Sequence, residues 1–194
     1  MLVLMSAEAA IAAPSDLPAL PRGRIASLPV VTMDGKHIDL AQQSGYKVVY
    51  FFSLACPCTR HCEQLTFIPL AKQFAGKVSF FAAASGGWDL HDDPANFAQL
   101  AATHHLPYPI VLDKSHKVVE ALGATTDSQV FVLSPDNRVL YDGAADDSKD
   151  YTDAHDGTVG KTHTYLLDAL DQALAGQPVS PQATTPKGCS ISPY

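Results

Sequence analysis

Three cysteines within seven residues give this sequence its clearest chemical signal. The segment 56–62 reads Cys-Pro-Cys-Thr-Arg-His-Cys. A deprotonated thiol is both a strong nucleophile and a soft metal ligand. Disulfide-stapled secreted domains spread their cysteines along the chain, whereas a tight cluster of this kind favours redox or metal chemistry.

Cys56 is the best candidate nucleophile because of where it stands. Pro57 is a favoured first residue of a helix, so Cys56 takes the cap position, where its sulfur faces unpaired backbone N–H groups. Arg60 and His61 add positive charge nearby, which together with the helix dipole stabilises a thiolate. We therefore expect Cys56 to react, with Arg60 and His61 in supporting roles.

Two cysteines of the cluster are candidates for resolving an oxidised Cys56. Cys58 lies two residues on, close enough for a strained Cys-x-Cys disulfide. Cys62 lies one helical turn beyond Cys58, on the same helix face. The structural alternative is that all three are buried thiols with no reactivity, since free cysteine is among the most buried residue types.

A metal-binding alternative stays open alongside the redox interpretation. The three thiolates of the cluster, with His61, His155 or His163, would offer soft ligands suited to Cu(I) or Zn(II), and Cys58, Cys62 and His61 are the specific set. The protein would then be a copper carrier rather than an enzyme. Under the redox interpretation it needs no metal and no cofactor.

The elements around the cluster alternate between strands and helices, which predicts an α/β fold. Residues 47–53 are apolar on both faces, as in the central strand of a covered sheet. A helix should run from Pro57 to Gly76, with an apolar face formed by Leu65, Ile68, Leu70, Ala71 and Phe74. The remaining predictions are a hairpin at 30–32 and 36–40, strands at 78–84, 110–112, 130–133 and 138–141, and helices at 94–104, 116–122 and 162–175.

The two ends differ from the middle in composition. We predict an arm at residues 1–27, a globular domain at 28–176 and a Pro-rich tail at 177–194 that carries Cys189. Ala10-Ile11-Ala12 before Ala13 resembles a small-residue signal cleavage site, which predicts export, for example to the periplasm. The alternatives are a disordered arm and a cytoplasmic protein.

Composition restricts the partners. The 194 residues are 46% hydrophobic, enough for one good core, and 13 basic residues stand against 20 acidic ones. No basic stretch could neutralise a row of phosphates, so we predict no nucleic-acid partner. No apolar run reaches the eighteen residues of a membrane span.

Several segments resemble the redoxin branch of the thioredoxin superfamily, near the alkyl hydroperoxide reductase and thiol-specific antioxidant proteins. The resemblance covers about residues 28–191. It rests on the strand and cysteine at 48–57, on 130–136 and 141–143, on Asp146-Asp147, and on the ending 170–191 with its Gly-Cys-Ser-Ile. It implies a thioredoxin-like fold: a central mixed sheet flanked by helices, an N-terminal hairpin and a C-terminal tail.

The resemblance also implies an activity and a site. It makes the protein a thiol-disulfide oxidoreductase or thiol peroxidase, with a protein thiol or disulfide, or a peroxide, as partner. Cys56 falls on the reactive cysteine, and Ser53 on the Thr or Ser that hydrogen-bonds the reacting peroxide. Cys189, on its tether, either resolves the cluster or is inert.

This chain departs from its relatives' motifs at three places. The proline of the peroxiredoxin motif falls at Val49, and the second cysteine of the thioredoxin Cys-x-x-Cys falls at Thr59. Where thioredoxins have a Thr-Pro pair, this chain has Asp127-Ser128. Without that proline we expect a more open wall opposite the reactive thiol.

Overall fold

The computed structural model describes residue 20 and residues 23–54, 56–85, 94–148 and 163–191. Within these ranges, seven strands form one mixed sheet in the order β2-β1-β5-β4-β3-β6-β7. The strands are β1 Pro29–Thr32, β2 His37–Asp39, β3 Tyr46–Phe52, β4 Val78–Ala84, β5 Ile110–Leu112, β6 Gln129–Leu133 and β7 Val139–Ala144.

The helices follow the predicted order. They are α1 Pro57–Cys62, α2 Ile68–Gln73, α3 Pro94–His104, α4 Lys117–Leu122 and α5 Tyr165–Leu174, with a short 3₁₀ turn at Leu40–Gln42. The predicted mixed sheet, flanking helices and opening hairpin are thus confirmed. None of the described helices combines the length and apolar character needed to cross a membrane.

Strand β3 is the centre of the sheet. It pairs in parallel with β4 and antiparallel with β6, and all seven of its residues are buried. Its side chains alternate between two hydrophobic clusters: Tyr50 and Phe52 pack on one face, Val49 and Phe51 on the other. Burial on both faces explains why the sequence of this strand is continuously apolar.

The helix after the cysteines contains a π-helical turn. Residues Glu63–Phe67 separate α1 from α2, and the backbone N–H of Ile68 donates to the carbonyl of Glu63. Pro69 explains the widening, because a proline has no N–H and its ring collides with the carbonyl four residues earlier. The extra residue rotates the apolar face, so Leu65 is 41% exposed, contrary to the prediction. The buried residues of this stretch are His61, Cys62, Glu63, Thr66, Phe67, Leu70, Ala71 and Phe74.

The C-terminal tail is bonded to the domain at two places. Near β7, the backbone N–H of Asp142 donates to the carbonyl of Gln182, and that of Thr184 donates to the carbonyl of Asp142. Further on, the tail runs antiparallel to residues 125–127, with a bridge between Thr126 and Ser190. The last described residues therefore lie against the loop that precedes β6.

Candidate active site

Cys56 lies at the junction of β3 and α1. Its backbone is extended (φ −91°, ψ 114°), it is the cap residue of α1, and Pro57 begins the helix. Its sulfur makes no cap hydrogen bond to the helix, so the expectation that it faces the unpaired N–H groups there is wrong. The junction follows the carboxyl end of a strand in the parallel part of the sheet, where α/β proteins place their sites. Cys56 is only 1% exposed.

The tail brings Cys189 to Cys56. The backbone N–H of Cys189 donates to the Cys56 sulfur at 3.4 Å. On either side, the backbone N–H of Asp127 donates to the carbonyl of Cys189 at 2.8 Å, and that of Ile191 donates to the carbonyl of Thr125 at 3.0 Å. The Cys56 sulfur therefore accepts a backbone hydrogen bond from the tail.

Gly188 is what lets the tail approach so closely. It has φ +154°, and a Cβ at this position would lie 1.9 Å from the backbone oxygen of Asp127. Any larger residue would push the tail away from the 125–127 segment. The expectation of an open wall at Asp127-Ser128 is therefore wrong, because the tail covers the place where the proline is missing.

Three ligating atoms meet at this site. The sulfur atoms of Cys56 and Cys189 and a carboxylate oxygen of Asp127 all lie within 4.8 Å of one another. Asp127 is 3% exposed. The Cys58 side chain also forms a hydrogen bond with that of Cys56. All four cysteines are free thiols in this structure.

The thiols beside Cys56 hold their protons near neutral pH. Burial, followed by the negative charge of a Cys56 thiolate, raises the pKa of Cys58 to about 11. Cys189 is exposed as a residue, but the partial burial of its sulfur beside Cys56, followed by the hydrogen bond to Cys56, raises its pKa to about 12. Both flanking thiols can therefore act as S–H donors toward Cys56.

Known proteins identify the family. A model of the Redoxin family matches residues 14–158. The chain belongs to the Redoxin family. No curated protein matches this redoxin in sequence.

Solved structures show the fold of this redoxin to be thioredoxin-like, as predicted. An uncharacterized conserved protein from Geobacillus kaustophilus matches with a TM-score of 0.77 and 24% identity, covering 89% of this chain and 91% of that one. A hypothetical protein from Sinorhizobium meliloti 1021 matches with 0.74 and 23%, covering 87% and 91%. A thioredoxin-like protein from Aeropyrum pernix matches with 0.51 and 19%, covering 62% and 83%.

Cys62 takes a different environment from the other cysteines of the redoxin. It is fully buried and packs in the hydrophobic cluster beneath β3. The two residues predicted to support Cys56 differ in exposure. His61 is buried, with 8% exposed. Arg60 is exposed and lines a surface groove with Leu54 and Gln64. Ser53 is fully buried, and its carbonyl accepts the backbone N–H of Cys56 at 3.3 Å.

The ligand set predicted for copper does not come together. Within the described ranges, the group that could hold a metal consists of Cys56, Asp127 and Cys189, rather than Cys58, Cys62 and His61. The reason is the burial of Cys62 on the core side of the helix. His163 pairs with Asp168 at 2.7 Å, and His155 lies outside the described residues.

Sequence reasoning missed two acidic residues. In the sequence, Asp127 stands out only as a departure from the proline motif. Its place in the site cannot be predicted from sequence, because it depends on where the tail places Cys189. Glu63, in the π-helical turn, is 1% exposed and accepts a hydrogen bond from the Tyr108 hydroxyl at 3.0 Å. Burial raises the pKa of Glu63 to about 7. The sequence holds one signal for the burial of Glu63: it stands on the helix face that also carries buried residues.

Proposed function

We propose that this redoxin is a thiol-dependent peroxidase or oxidoreductase in which Cys56 is the nucleophile and Cys189 the resolving thiol. The observation that carries the proposal is the placement of Cys189 against Cys56, with a backbone N–H donated to the Cys56 sulfur at 3.4 Å. The two sulfur atoms lie within 4.8 Å of each other. A disulfide requires the sulfurs to approach from this distance to about 2.05 Å.

In the first step the Cys56 thiolate attacks one oxygen of a peroxide. The O–O bond breaks, the other oxygen leaves as water or an alcohol after taking a proton, and Cys56 becomes a sulfenic acid. Cys58 and Cys189 carry protons beside the reacting sulfur, as their raised pKa values indicate. Ser53 remains the candidate for orienting the peroxide.

In the second step Cys189 loses its proton and attacks the sulfur of the sulfenic acid. The S–O bond breaks, water leaves, and a Cys56–Cys189 disulfide forms. An external thiol partner then reduces this disulfide and returns both cysteines to free thiols. The cycle needs no cofactor, because the electrons pass between sulfur atoms and the substrate.

Cys189 is a better resolving residue than either cysteine of the helix. Cys58 hydrogen-bonds Cys56 but stands only two residues from it, so a disulfide between the two would close a short, strained Cys-x-Cys ring. Cys62 is fully buried in the apolar cluster. Cys189 belongs to a separate segment, so a disulfide with Cys56 is not constrained by a short stretch of backbone between the two residues.

The burial of Cys56 favours a small peroxide as the oxidant, since the covered sulfur is only 1% exposed. A disulfide substrate is the second candidate, and the backbone pairing at 125–127 supports it. An extended peptide that took the place of the tail would find the same hydrogen-bonding groups there. Attack on its disulfide would give a mixed disulfide that Cys189 or Cys58 then displaces.

A single-turnover experiment tests the proposal. Fully reduced protein, freed of reductant, receives one equivalent of hydrogen peroxide or of a small disulfide. We expect wild type to consume the oxidant and lose two titratable thiols. The Cys189→Ser variant should consume peroxide but lose one thiol, leaving a sulfenic acid on Cys56 that dimedone traps.

Two further variants complete this experiment. Cys56→Ser should consume neither oxidant, and Cys62→Ala, which removes a thiol from the core, should match wild type. Consumption at the wild-type rate by Cys56→Ser would contradict the proposed nucleophile. Loss of two thiols in Cys189→Ser would instead assign the resolving role to Cys58.

Export is also part of the proposal. The small, apolar segment that ends in Ala10-Ile11-Ala12 supports it, and residues 1–19 lie outside the described ranges. Cell fractionation with mass spectrometry of the mature N-terminus tests this. A protein recovered from the periplasm with a start near Ala13 is expected, and one recovered from the cytoplasm with residues 1–13 intact would contradict it.

A further inference from the structure

Four side chains from three separate segments converge at the covered thiol. Cys56 and Cys58 come from the start of α1, Asp127 from the loop before β6, and Cys189 from the tail. The sulfur atoms of Cys56 and Cys189 and an Asp127 oxygen are mutually within 4.8 Å, and Cys58 adds a third sulfur beside Cys56. Folding, rather than sequence proximity, creates this group.

The ligand atoms of Cys56, Cys189 and Asp127 have the composition and close spacing of a metal site, and Cys58, outside this group of three, hydrogen-bonds Cys56. Zinc binds thiolate sulfur at about 2.3 Å and carboxylate oxygen at about 2.0–2.2 Å, which sets its ligands about 3.3–3.8 Å apart. The three atoms, mutually within 4.8 Å, need to approach by about 1.5 Å or less to reach that spacing. We propose that the reduced protein binds one Zn²⁺ through Cys56, Cys189 and Asp127, with Cys58 as the fourth ligand.

The donor set favours zinc over other cations. Thiolates are poor ligands for Mg²⁺ and Ca²⁺, which prefer oxygen. Cu(I) is satisfied by soft sulfur ligands and gains little from a carboxylate, whereas Zn²⁺ accepts both sulfur and oxygen. Asp127 is only 3% exposed, so a cation bound to its carboxylate would be held away from bulk water.

Metal binding and disulfide formation exclude each other at this site. A Cys56–Cys189 disulfide removes two of the four ligands, so the oxidised protein cannot hold the ion. Conversely, a bound Zn²⁺ occupies the electron pairs that attack a peroxide or a disulfide. The zinc site belongs to the reduced protein and does not depend on turnover.

The test is an anaerobic titration of the full chain, reduced and freed of metal, with Zn²⁺ in competition with a chromogenic chelator. We expect one tightly bound Zn²⁺ per chain. Binding should weaken at least tenfold in Cys189→Ser and in Asp127→Asn. The matched control is Cys62→Ala, which loses a buried thiol of the core and should bind as wild type does.

Titration with Co²⁺ gives an independent readout of the ligands. Tetrahedral Co²⁺ bound by thiolates has intense absorption bands, and their thiolate-to-metal intensity should fall by about one third in Cys58→Ser if three sulfurs bind. The proposal is overturned if wild type shows no stoichiometric binding, or if Cys189→Ser binds as wild type does. Either result leaves the single-turnover experiment unaffected, since that experiment uses no metal.

Discussion

At the scale of single residues, the proposed nucleophile, Cys56, lies beside two thiols that hold their protons near neutral pH. Cys58 and Cys189 both lie beside Cys56, and the pKa of each is raised by burial and by charge on Cys56. In the proposed cycle these thiols would supply a proton donor for the leaving group and a second thiol for the disulfide. No other described pair of thiols is placed in this way, since Cys62 lies in the core.

Glu63 belongs to the same scale and gives a prediction on stability. Its pKa is raised from 4.5 to about 7, so the folded protein tolerates it best when protonated. Below pH 4.5 the Glu63 carboxyl is protonated in both the folded and the unfolded protein, and its contribution to the free energy of unfolding is greatest. That contribution is lost as pH rises through about 7, where the folded protein must also release the proton. Replacing Glu63 by Gln, whose carbonyl can still accept from Tyr108, removes this dependence.

We therefore expect Glu63→Gln to gain stability relative to wild type between pH 4.5 and 8, by up to about 3 kcal/mol. Urea unfolding at a series of pH values measures the difference. The control is Glu120→Gln on α4, where the carboxylate is exposed and keeps its water in the folded state. A difference between Glu63→Gln and wild type that stays constant with pH would contradict the account.

Residue types and spacing predict Cys56 as the nucleophile, which stays a prediction, but they do not predict that Cys189 lies beside it. Pro57 after a buried strand is a local signal for a helix start, so the cap position of Cys56 follows from sequence. The spacing of Cys58 and Cys62 predicts a shared helix face, and the π-helical turn does not alter that. Spacing does not predict which face of the helix packs against the core. Cys62 is fully buried in the core, so it is not available as a resolving thiol.

At the scale of elements, the tail is what completes the site. It meets residues 125–127 by backbone hydrogen bonds, and Gly188 allows the contact. In Gly188→Ala the added Cβ would lie 1.9 Å from the Asp127 oxygen, a distance that real atoms do not tolerate. The tail should then detach and carry Cys189 away from Cys56.

The consequence of Gly188→Ala can be measured by alkylation of Cys56. We expect at least tenfold faster modification and a lower yield of the Cys56–Cys189 disulfide. Gly35→Ala is a matched control, because Gly35 also has a positive φ, +80°, but a Cβ there meets nothing within 4 Å. Equal alkylation rates in wild type and Gly188→Ala would show that the tail does not protect Cys56.

Regular elements follow from sequence more closely than the tail does. The strands at 78–84 and 110–112 and the helix at 94–104 have the predicted bounds, because hydrophobic pattern and Gly or Pro punctuation mark them locally. Strand β7 continues to Ala144, beyond the predicted 141, since Asp142 and Gly143 join it only by pairing with β6. The tail lacks any such pattern, and its position depends on backbone groups far away in sequence.

At the scale of the whole molecule, the proposed disulfide would join positions 133 residues apart. Closing so long a loop removes much of the conformational freedom of the unfolded chain, worth about 3–5 kcal/mol. We expect the oxidised protein to be more stable than the reduced protein by this order. Urea unfolding with and without reductant measures it, and Cys189→Ser should show no difference between the two conditions.

The disulfide itself is the most direct measurement of the central claim. Protein oxidised with one equivalent of peroxide, digested without reduction and analysed by mass spectrometry, should yield a peptide pair joined through Cys56 and Cys189. Free thiols should remain on Cys58 and Cys62. A bond between Cys56 and Cys58, or oxidised protein in which Cys189 is still a free thiol, would contradict the account.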